Sequence, residues 1–330
     1  MIKSFWGKHR AFRVFSIILL ILIILLIVIG GVINVSITRS QKDRNIITVD
    51  QQKYIEKKKM TNILLIGCDK RDNLINSSAV AGENGQADFI CLASIDWENE
   101  RVYLTSIPRE TVTEVHVRDD DGNIISTEEK QICLEYAYGT SPEEGSEYMV
   151  DAVSEVLGGT SIDYYCTVSM GILWGLLDDI GGVDVTMSND CQSNDLYSYK
   201  AGETVHMSGE EAYEFVHFRS IYVNFSNLDR MMRQRDFMLA FVPKVKETVK
   251  SDYKIIFRWI DKYKNYYCTN IPIYIYPLIG YAAMKYDYNI DNINQISGRE
   301  EHIGNYDWFY VDDDGVNAMQ SVTLYENMGE

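Results

Sequence analysis

The chain has 330 residues, 46% of them hydrophobic, which is enough for a sizeable core in one large domain or two small ones and excludes a disordered chain. A formal net charge of −17 argues against a nucleic-acid binder, whose phosphate contacts need a basic face. Arginines aimed at an anion are therefore local exceptions in an acidic protein.

Between Arg13 and Arg39 lie 25 residues without a charged side chain, including FSIILLILIILLIVIGGVI. Such a run is long enough to span a bilayer. It exceeds the apolar core of a signal peptide and runs into VSITRSQ rather than a small-residue cleavage site, so it reads as an uncleaved anchor. Lys3, Lys8, Arg10 and Arg13 precede it with no acidic residue among them. The positive-inside rule then predicts a cytoplasmic tail over 1–13, a transmembrane helix over 14–38, and everything beyond on the outer face of the cell membrane. The polar and charged residues 39–60 read as an extracellular tether or short helix, leading to one extracellular domain over 61–330.

Within that domain NILLIG (62–67), DFICLASI (88–95) and RVYLTSI (101–107) are short apolar and β-branched runs bounded by turn formers, as core strands are. DWENE is a hairpin-length link between the last two, and Asp121-Gly122 marks a second hairpin. The segment HVRDDDG is no calcium loop, because Val117 occupies the first position of the D-x-D-x-D-G register. From about 133 helical spacing takes over, with Met149, Ala152, Val153, Val156 and Leu157 on one face. DYYCTV (163–168) is a strand, SMGILWGLLDDIGG (169–182) an apolar helix ending at Gly181, and VDVTM another strand. Ser208 and Glu211 form a capping box that opens a helix, and a long helix follows over about 227–249. Strands alternating with helices predict an α/β (α+β) fold, a central mixed sheet flanked by helices. The Tyr-rich residues 253–330 give no clear periodicity and are expected only to pack on the same domain.

Cysteines 68, 91, 133, 166, 191 and 268 show no metal-binding spacing. Cys91 and Cys166 sit in apolar strand-like runs, so buried thiols are expected.

Three features bear on chemistry. The strand VYLTSI stops at Pro108-Arg109-Glu110, which places an arginine at the strand mouth. Asp69 follows the first strand and Asp88 opens the second; at one sheet edge their oxygens suit Mg²⁺, although singly each reads as a turn aspartate. On the long helix Arg230, Arg233 and Gln234, at i, i+3 and i+4, form either an anion-binding face or a solvated surface.

The segments GCDKR, ADFICLASID, LTSIPRET, AYGT, DYYCTVSMGILWGLLDDIGGVDV, MSGEEAY and NLDRMMRQRDFML follow, in order over about 61–242, the signature segments of the LytR-CpsA-Psr family, which the chain resembles. Members are single-span, outward-facing enzymes that transfer lipid-linked glycopolymers to peptidoglycan. The resemblance implies catalytic roles for Arg109, Asp69 and Asp88, with the two aspartates holding Mg²⁺. It further implies that Arg71, Arg109, Arg219, Arg230, Arg233 and Gln234 bind the pyrophosphate of a polyprenyl-linked donor. The polyprenyl tail would enter an apolar slot between sheet and helices; the stripe Ile172, Leu173, Leu176 and Leu177 fits that slot or a plain core helix.

Three departures from the family pattern remove a charge or strong ligand: His217 where most members have arginine, Asn227 in place of aspartate, and Gln131-Ile132-Cys133 in place of Lys-Ile-Asn. Lys130 would restore a lysine by a one-residue shift. Two functions follow from the resemblance: a phosphotransferase attaching a teichoic acid, capsule or other glycopolymer to the wall, or a non-catalytic regulator that binds polyprenyl phosphate.

Overall fold

The computed structural model describes residues 37–39, 44–70, 72–74, 78, 80–192, 198–218, 226–286 and 292–329, with side chains of the helix starting at Ser226 described from Asp229 onward. The strands are β1 (Ile46–Val49), β2 (Gln52–Glu56), β3 (Met60–Cys68), β4 (Ala87–Asp96), β5 (Arg101–Ser106), β6 (Val112–Arg118), β7 (Ile124–Gln131), β8 (Tyr164–Ser169), β9 (Val183–Thr186), β10 (Cys191–Gln192), β11 (Ser198–Tyr199), β12 (Thr204–Met207), β13 (Tyr267–Thr269), β14 (Ile293–Gln295), β15 (Gly298–Ile303), β16 (Tyr306–Val311) and β17 (Tyr325–Asn327). The helices are α1 (Pro142–Val156), α2 (Ile172–Ile180), α3 (Gly209–His217), α4 (Ser226–Ser251), α5 (Ile255–Lys262), α6 (Tyr276–Lys285) and α7 (Asp313–Thr323).

A six-stranded mixed sheet in the order β13-β8-β3-β4-β5-β14 forms the centre. β3 runs parallel to β8 and antiparallel to β4, and β14 runs parallel to β5. β3 is covered on both faces, which explains its unbroken apolar run. Leu64, Ile66, Ile90 and Leu92 point to one face, where they pack with Met149, Ala152 and Val153 of α1. That helix starts where its sequence dictates: Ser141 Oγ accepts from the Glu144 N–H at 3.2 Å, and Pro142 occupies the first turn. The opposite face carries Ile63 and Ile95 beneath α6, and Gly67 and Phe89 beneath α4. α2, α3, α4 and the β9/β12 pair build their own apolar cluster around Leu177, Val185, Tyr213 and Phe237. α2 ends at Gly181 in the left-handed region, a position that favours glycine.

Two expectations are corrected or filled in. Residues 46–56 are no tether: β1 and β2 pair through a turn at Asp50 and Gln51, both at positive φ, and β17 extends the pair into a three-stranded sheet. The turn lacks the Asn-Gly or Asp-Gly signal, and its strands gain stability only from a segment some 270 residues away in sequence. The C-terminal region supplies both edges of the central sheet, β13 on one side and β14 on the other. Such three-residue strands carry no readable periodicity.

Arg39 is buried where the N-terminal segment meets the domain. It donates to Glu56 Oε2 at 3.1 Å, to the Ser161 carbonyl at 3.1 Å and to Asp163, and its own N–H bonds the Lys58 carbonyl at 2.9 Å. The apolar segment before it lies outside the described residues apart from Ile37 and Thr38; among those described, no helix is long and apolar enough to cross a membrane.

Candidate functional site

β3 and β4 end side by side, and their ends bring the two aspartates together. Pairing shifts between Gly67–Phe89 and Cys68–Ala87, so Asp88 is the extra residue of a β-bulge. A bulge re-aims the side chain it carries, and here Asp88 is directed at Arg109 and at His217, whose Nε2 lies 3.5 Å from Asp88 Oδ2. Asp69 is held by the incoming strand: its Oδ1 accepts the Gln86 N–H at 3.0 Å, and its own N–H donates to the Gln86 carbonyl at 3.1 Å. Gly85 precedes at φ +80, and a Cβ there would strike Asp69 Oδ1. Only glycine both adopts this backbone comfortably and leaves the carboxylate its place.

The proline after β5 makes a tight turn. The Thr111 N–H and hydroxyl both donate to the Pro108 carbonyl, at 3.0 and 2.6 Å, and the Arg109 carbonyl accepts from the Cys133 N–H at 3.3 Å. The backbone around Arg109 is thus fixed from two sides. Its guanidinium bonds Asp88 and the Gln86 side-chain oxygen, while Nε lies 3.6 Å from Glu110 Oε1. Burial works against the charge of Arg109, but its neighbours Cys133, Asp88 and Glu110 more than offset it and raise the guanidinium above its ordinary value. Of these the two carboxylates carry the effect, because burial pushes the Cys133 thiol up to about 12 and leaves it neutral.

Glu110 is almost fully buried and serves a second arginine: Arg230 Nη2, from the start of α4, donates to Glu110 Oε1 at 3.3 Å. Asp88, Arg109, Glu110 and Arg230 therefore form one connected charge network, with His217 and Asp69 at its border. His217 ends α3 and stacks on Tyr213, with ring centroids 5.1 Å apart.

Arg233 does not join this cluster. Its guanidinium donates to the Phe215 carbonyl at 2.6 Å and to the Phe218 carbonyl, and Nε donates to the Asp229 carbonyl at 3.2 Å. It satisfies carbonyls left open at the end of α3 and is buried enough that its pKa falls to about 10. Positions i and i+3 lie about 60° apart around a helix, and that offset separates an arginine facing the site from one facing a neighbouring helix end. Gln234 bonds the Val216 carbonyl at 3.2 Å and lines the apolar cavities described next. Arg71, Arg219 and the side chain of Asn227 lie outside the described residues. Gln131 bonds the Asp307 carbonyl at 2.7 Å, and Lys130 pairs with Glu128 at 2.8 Å on the β6/β7 hairpin rather than reaching the site.

Beneath α4 two cavities, of about 350 and 120 Å³, share Phe89, Gln234 and Met238. The larger runs over Cys91, Leu104 and Met231 towards β14; the smaller is wholly apolar and reaches Gly67, Met170, Ile172 and Leu173. Of the predicted stripe, then, Ile172 and Leu173 line a slot, while Leu177 is core of the helical cluster. All six cysteines are free; Cys68, Cys91 and Cys133 are buried, and Cys166 is half-buried. Gln86 and Glu110 were not singled out in the sequence. Glu110 had a signal, an acid directly beside a strand-end arginine; Gln86, in a glycine-rich loop, had none.

The geometry sets two guanidinium groups, Arg109 and Arg230, among three carboxylates, Asp69, Asp88 and Glu110, next to two cavities, the smaller with an apolar surface and the larger edged by Ser106, Arg235, Asn294 and Gln295 as well as by apolar side chains. Among curated relatives, a polyisoprenyl-teichoic acid–peptidoglycan teichoic acid transferase, TagU, of Bacillus cereus is 30% identical over 190 residues, 58% of this chain and 54% of the relative. The chain thus spans about half the length of the curated relative it matches. Among solved structures, protein gbs0355 of Streptococcus agalactiae aligns with TM-score 0.63 at 20% identity, over 80% of this chain and 86% of the other. TagV of B. subtilis aligns with TM-score 0.59 at 23% identity, over 81% and 96%. Both share the mixed α/β fold. The model of the LytR-CpsA-Psr family matches residues 31–323, and the chain belongs to that family.

Proposed function

We propose that this chain is a phosphotransferase that moves a glycopolymer from a polyprenyl-pyrophosphate carrier to peptidoglycan. An acceptor hydroxyl attacks the phosphorus bearing the glycan, the bond to the lipid-side phosphate breaks, and the products are a phosphodiester and the lipid monophosphate; the hydroxyl proton passes to a base or water. The observation that carries this reading is the network of Arg109, Glu110, Arg230 and Asp88 next to the apolar cavity beneath α4, because a lipid diphosphate needs cations for its head and a dry slot for its tail. Fixed guanidinium groups stabilise the charge that grows on a leaving phosphate, and their planar forks match its oxygens. Family membership and the name of the B. cereus relative support teichoic acid as the class of polymer.

We read Asp69 and Asp88 as the residues that would hold Mg²⁺; what supports this is their donor type, both being carboxylates at one end of the sheet, one in a cradle only glycine leaves open. When bound, the ion would neutralise diphosphate charge. Arg109 and Arg230 orient the diphosphate, and Glu110 holds those two arginines apart and in place. We further propose that residues 14–38 span the membrane, with 1–13 inside and the domain outside beside its lipid substrate.

The test is transfer by the purified full chain, given a lipid-pyrophosphate glycan, an acceptor glycan and Mg²⁺. Arg109→Ala is expected to lower kcat by about 10²–10³, as loss of one donor to a developing anion does elsewhere. Tight donor binding without product in the parent protein would instead establish the regulator, the reading that His217 in place of an arginine would favour.

A further inference from the structure

We propose that the outer face of the β15/β16 hairpin, which carries Tyr306, Trp308 and Tyr310, binds the glycan strand of the peptidoglycan acceptor. This rests on the transfer reaction described above, of which that strand is the second substrate.

Alternation along β16 sorts its side chains. Asp307 and Phe309 are buried, and Phe309 belongs to the main core, so Tyr306, Trp308 and Tyr310 stand on the other side. Directly paired residues of an antiparallel ladder share a face, which sets Ile303, Glu301 and Arg299 opposite the three rings. Tyr306 is 63% exposed and Ile303 is exposed beside it, while Trp308 and Tyr310 are half-buried. The Arg299 guanidinium lies over the Tyr310 ring, 4.8 Å from its centroid, and is ion-paired with Glu301. Trp308 has its Nε1 shielded from water, so its ring is held before a ligand arrives. Side chains on one face of a strand recur every ~6.8 Å, and three rings in such a row accommodate more than one sugar.

The register also places this face beside the anion site. Phe309 forms an isolated parallel bridge with Thr111, and its N–H donates to the Glu110 carbonyl at 2.9 Å. Bridge partners point the same way, and Thr111 and Phe309 are both buried. Their neighbours Glu110, Trp308 and Tyr310 therefore share the opposite side, and Glu110 is the residue that meets Arg109 and Arg230. Gln131 fixes the hairpin further, through its bond to the Asp307 carbonyl. A strand laid along the rings leads from the hairpin tip to the site, where its hydroxyl must meet the donor phosphorus.

The chemistry of the face selects an uncharged glycan. A hexose ring presents C–H bonds that pack on the negative π face of an aromatic ring, while the tyrosine hydroxyls stay in water. N-acetylhexosamines add a methyl group for Ile303, and amide and hydroxyl groups for Arg299 and Glu301. A teichoic acid instead carries a phosphate on each unit. Between 298 and 314 the chain has six acidic residues and one arginine, so like charge turns the donor polymer away from this hairpin and leaves it to the acceptor.

The test reads binding and transfer separately on the purified full chain. The binding probes are an N-acetylglucosamine tetramer and polyglycerol phosphate, titrated by calorimetry. Tyr306→Ala is expected to weaken the tetramer about tenfold, a factor equal to ~1.4 kcal/mol, whereas Tyr306→Phe, which keeps the ring, binds it as the parent does. Both variants should keep the parent Tm, since the side chain already faces water. In transfer, Tyr306→Ala should raise acceptor KM by the same factor and leave donor KM and kcat as they are. A parent that does not bind the tetramer, or a Tyr306→Ala protein that binds it equally well, overturns the surface. Polyglycerol phosphate that binds and is weakened by Tyr306→Ala assigns the face to the donor polymer and overturns it as well. Transfer with an unchanged acceptor KM in Tyr306→Ala refutes the surface alone. A parent that binds the tetramer through Tyr306 but transfers nothing refutes the transferase reading and upholds the glycan surface.

Discussion

Glu110→Gln isolates the one residue that ties the two site arginines together. Glu110 is 1% exposed and lies 3.6 Å from Arg109 Nε and 3.3 Å from Arg230 Nη2, so solvent screens neither pairing. Removing one charge from a buried ion pair costs about 3–5 kcal/mol. Glutamine keeps an oxygen of the same shape in the same place, so the lower end, about 3 kcal/mol, is expected. In a domain of this size each kcal/mol lowers Tm by roughly 2–4 °C, which gives a fall of about 6–12 °C in a calorimetric or fluorescence melt. Transfer should fall too, because Arg109 loses the contact that aims its Nε, and kcat should drop more than donor KM rises. Glu110→Asp, which restores the charge on a shorter arm, should recover part of both. A Glu110→Gln protein with the parent Tm and kcat would refute the argument that this carboxylate holds the network.

The remaining predictions concern the slot, the glycine cradle and the far end of the sheet. Met238→Trp places a larger side chain in the wall shared by both cavities, and should raise KM for donors with long polyprenyl tails by about tenfold, ~1.4 kcal/mol, while leaving short-tailed donors unaffected. Gly85→Ala forces a side chain into the left-handed region, at about 1–2 kcal/mol, and against Asp69; calorimetry should show that modest loss, with a larger rise in the Mg²⁺ concentration needed for half-maximal transfer. Asp96 accepts from Lys57 at 2.8 Å and from Asn99; burial raises its pKa, but those hydrogen bonds outweigh it and hold the carboxyl below its ordinary 3.8. A depressed folded pKa means stability that is complete above 3.8 and lost as pH falls through the lower, folded value. Asp96→Asn should therefore lower Tm at pH 7, and the gap from the parent should narrow only below pH 3.8.

The legible part of the fold was the part with local periodicity. β3, β4 and β5 stand where unbroken β-branched runs end in turn formers, and α3 begins after Ser208, whose N–H and hydroxyl both donate to Glu211; the helical spacing expected from about 133 is a 3-10 turn over Ile132–Tyr138, and α1 starts only at Pro142. Arg109 was legible because proline ends a strand only where the chain must turn, and that turn sets the arginine beside the ends of β3 and β4. In the site, legibility stopped at partners. Arg230 and Arg233 look alike in sequence, yet one meets Glu110 and the other the end of α3.

By itself, then, the sequence determined the mixed α/β class, the strand-end aspartates, the arginine at the mouth and the charge-free run over 14–38, all carried by spacing within a few turns or strands. Only the tertiary structure decided that β1 and β2 close on β17, that β13 and β14 form the sheet edges, that a bulge turns Asp88 towards Arg109, and that one glutamate serves two arginines. The reason is physical: period and capping act within a single segment, whereas register, bulges and buried charge pairs depend on which distant segment arrives opposite, and no local pattern records that arrival.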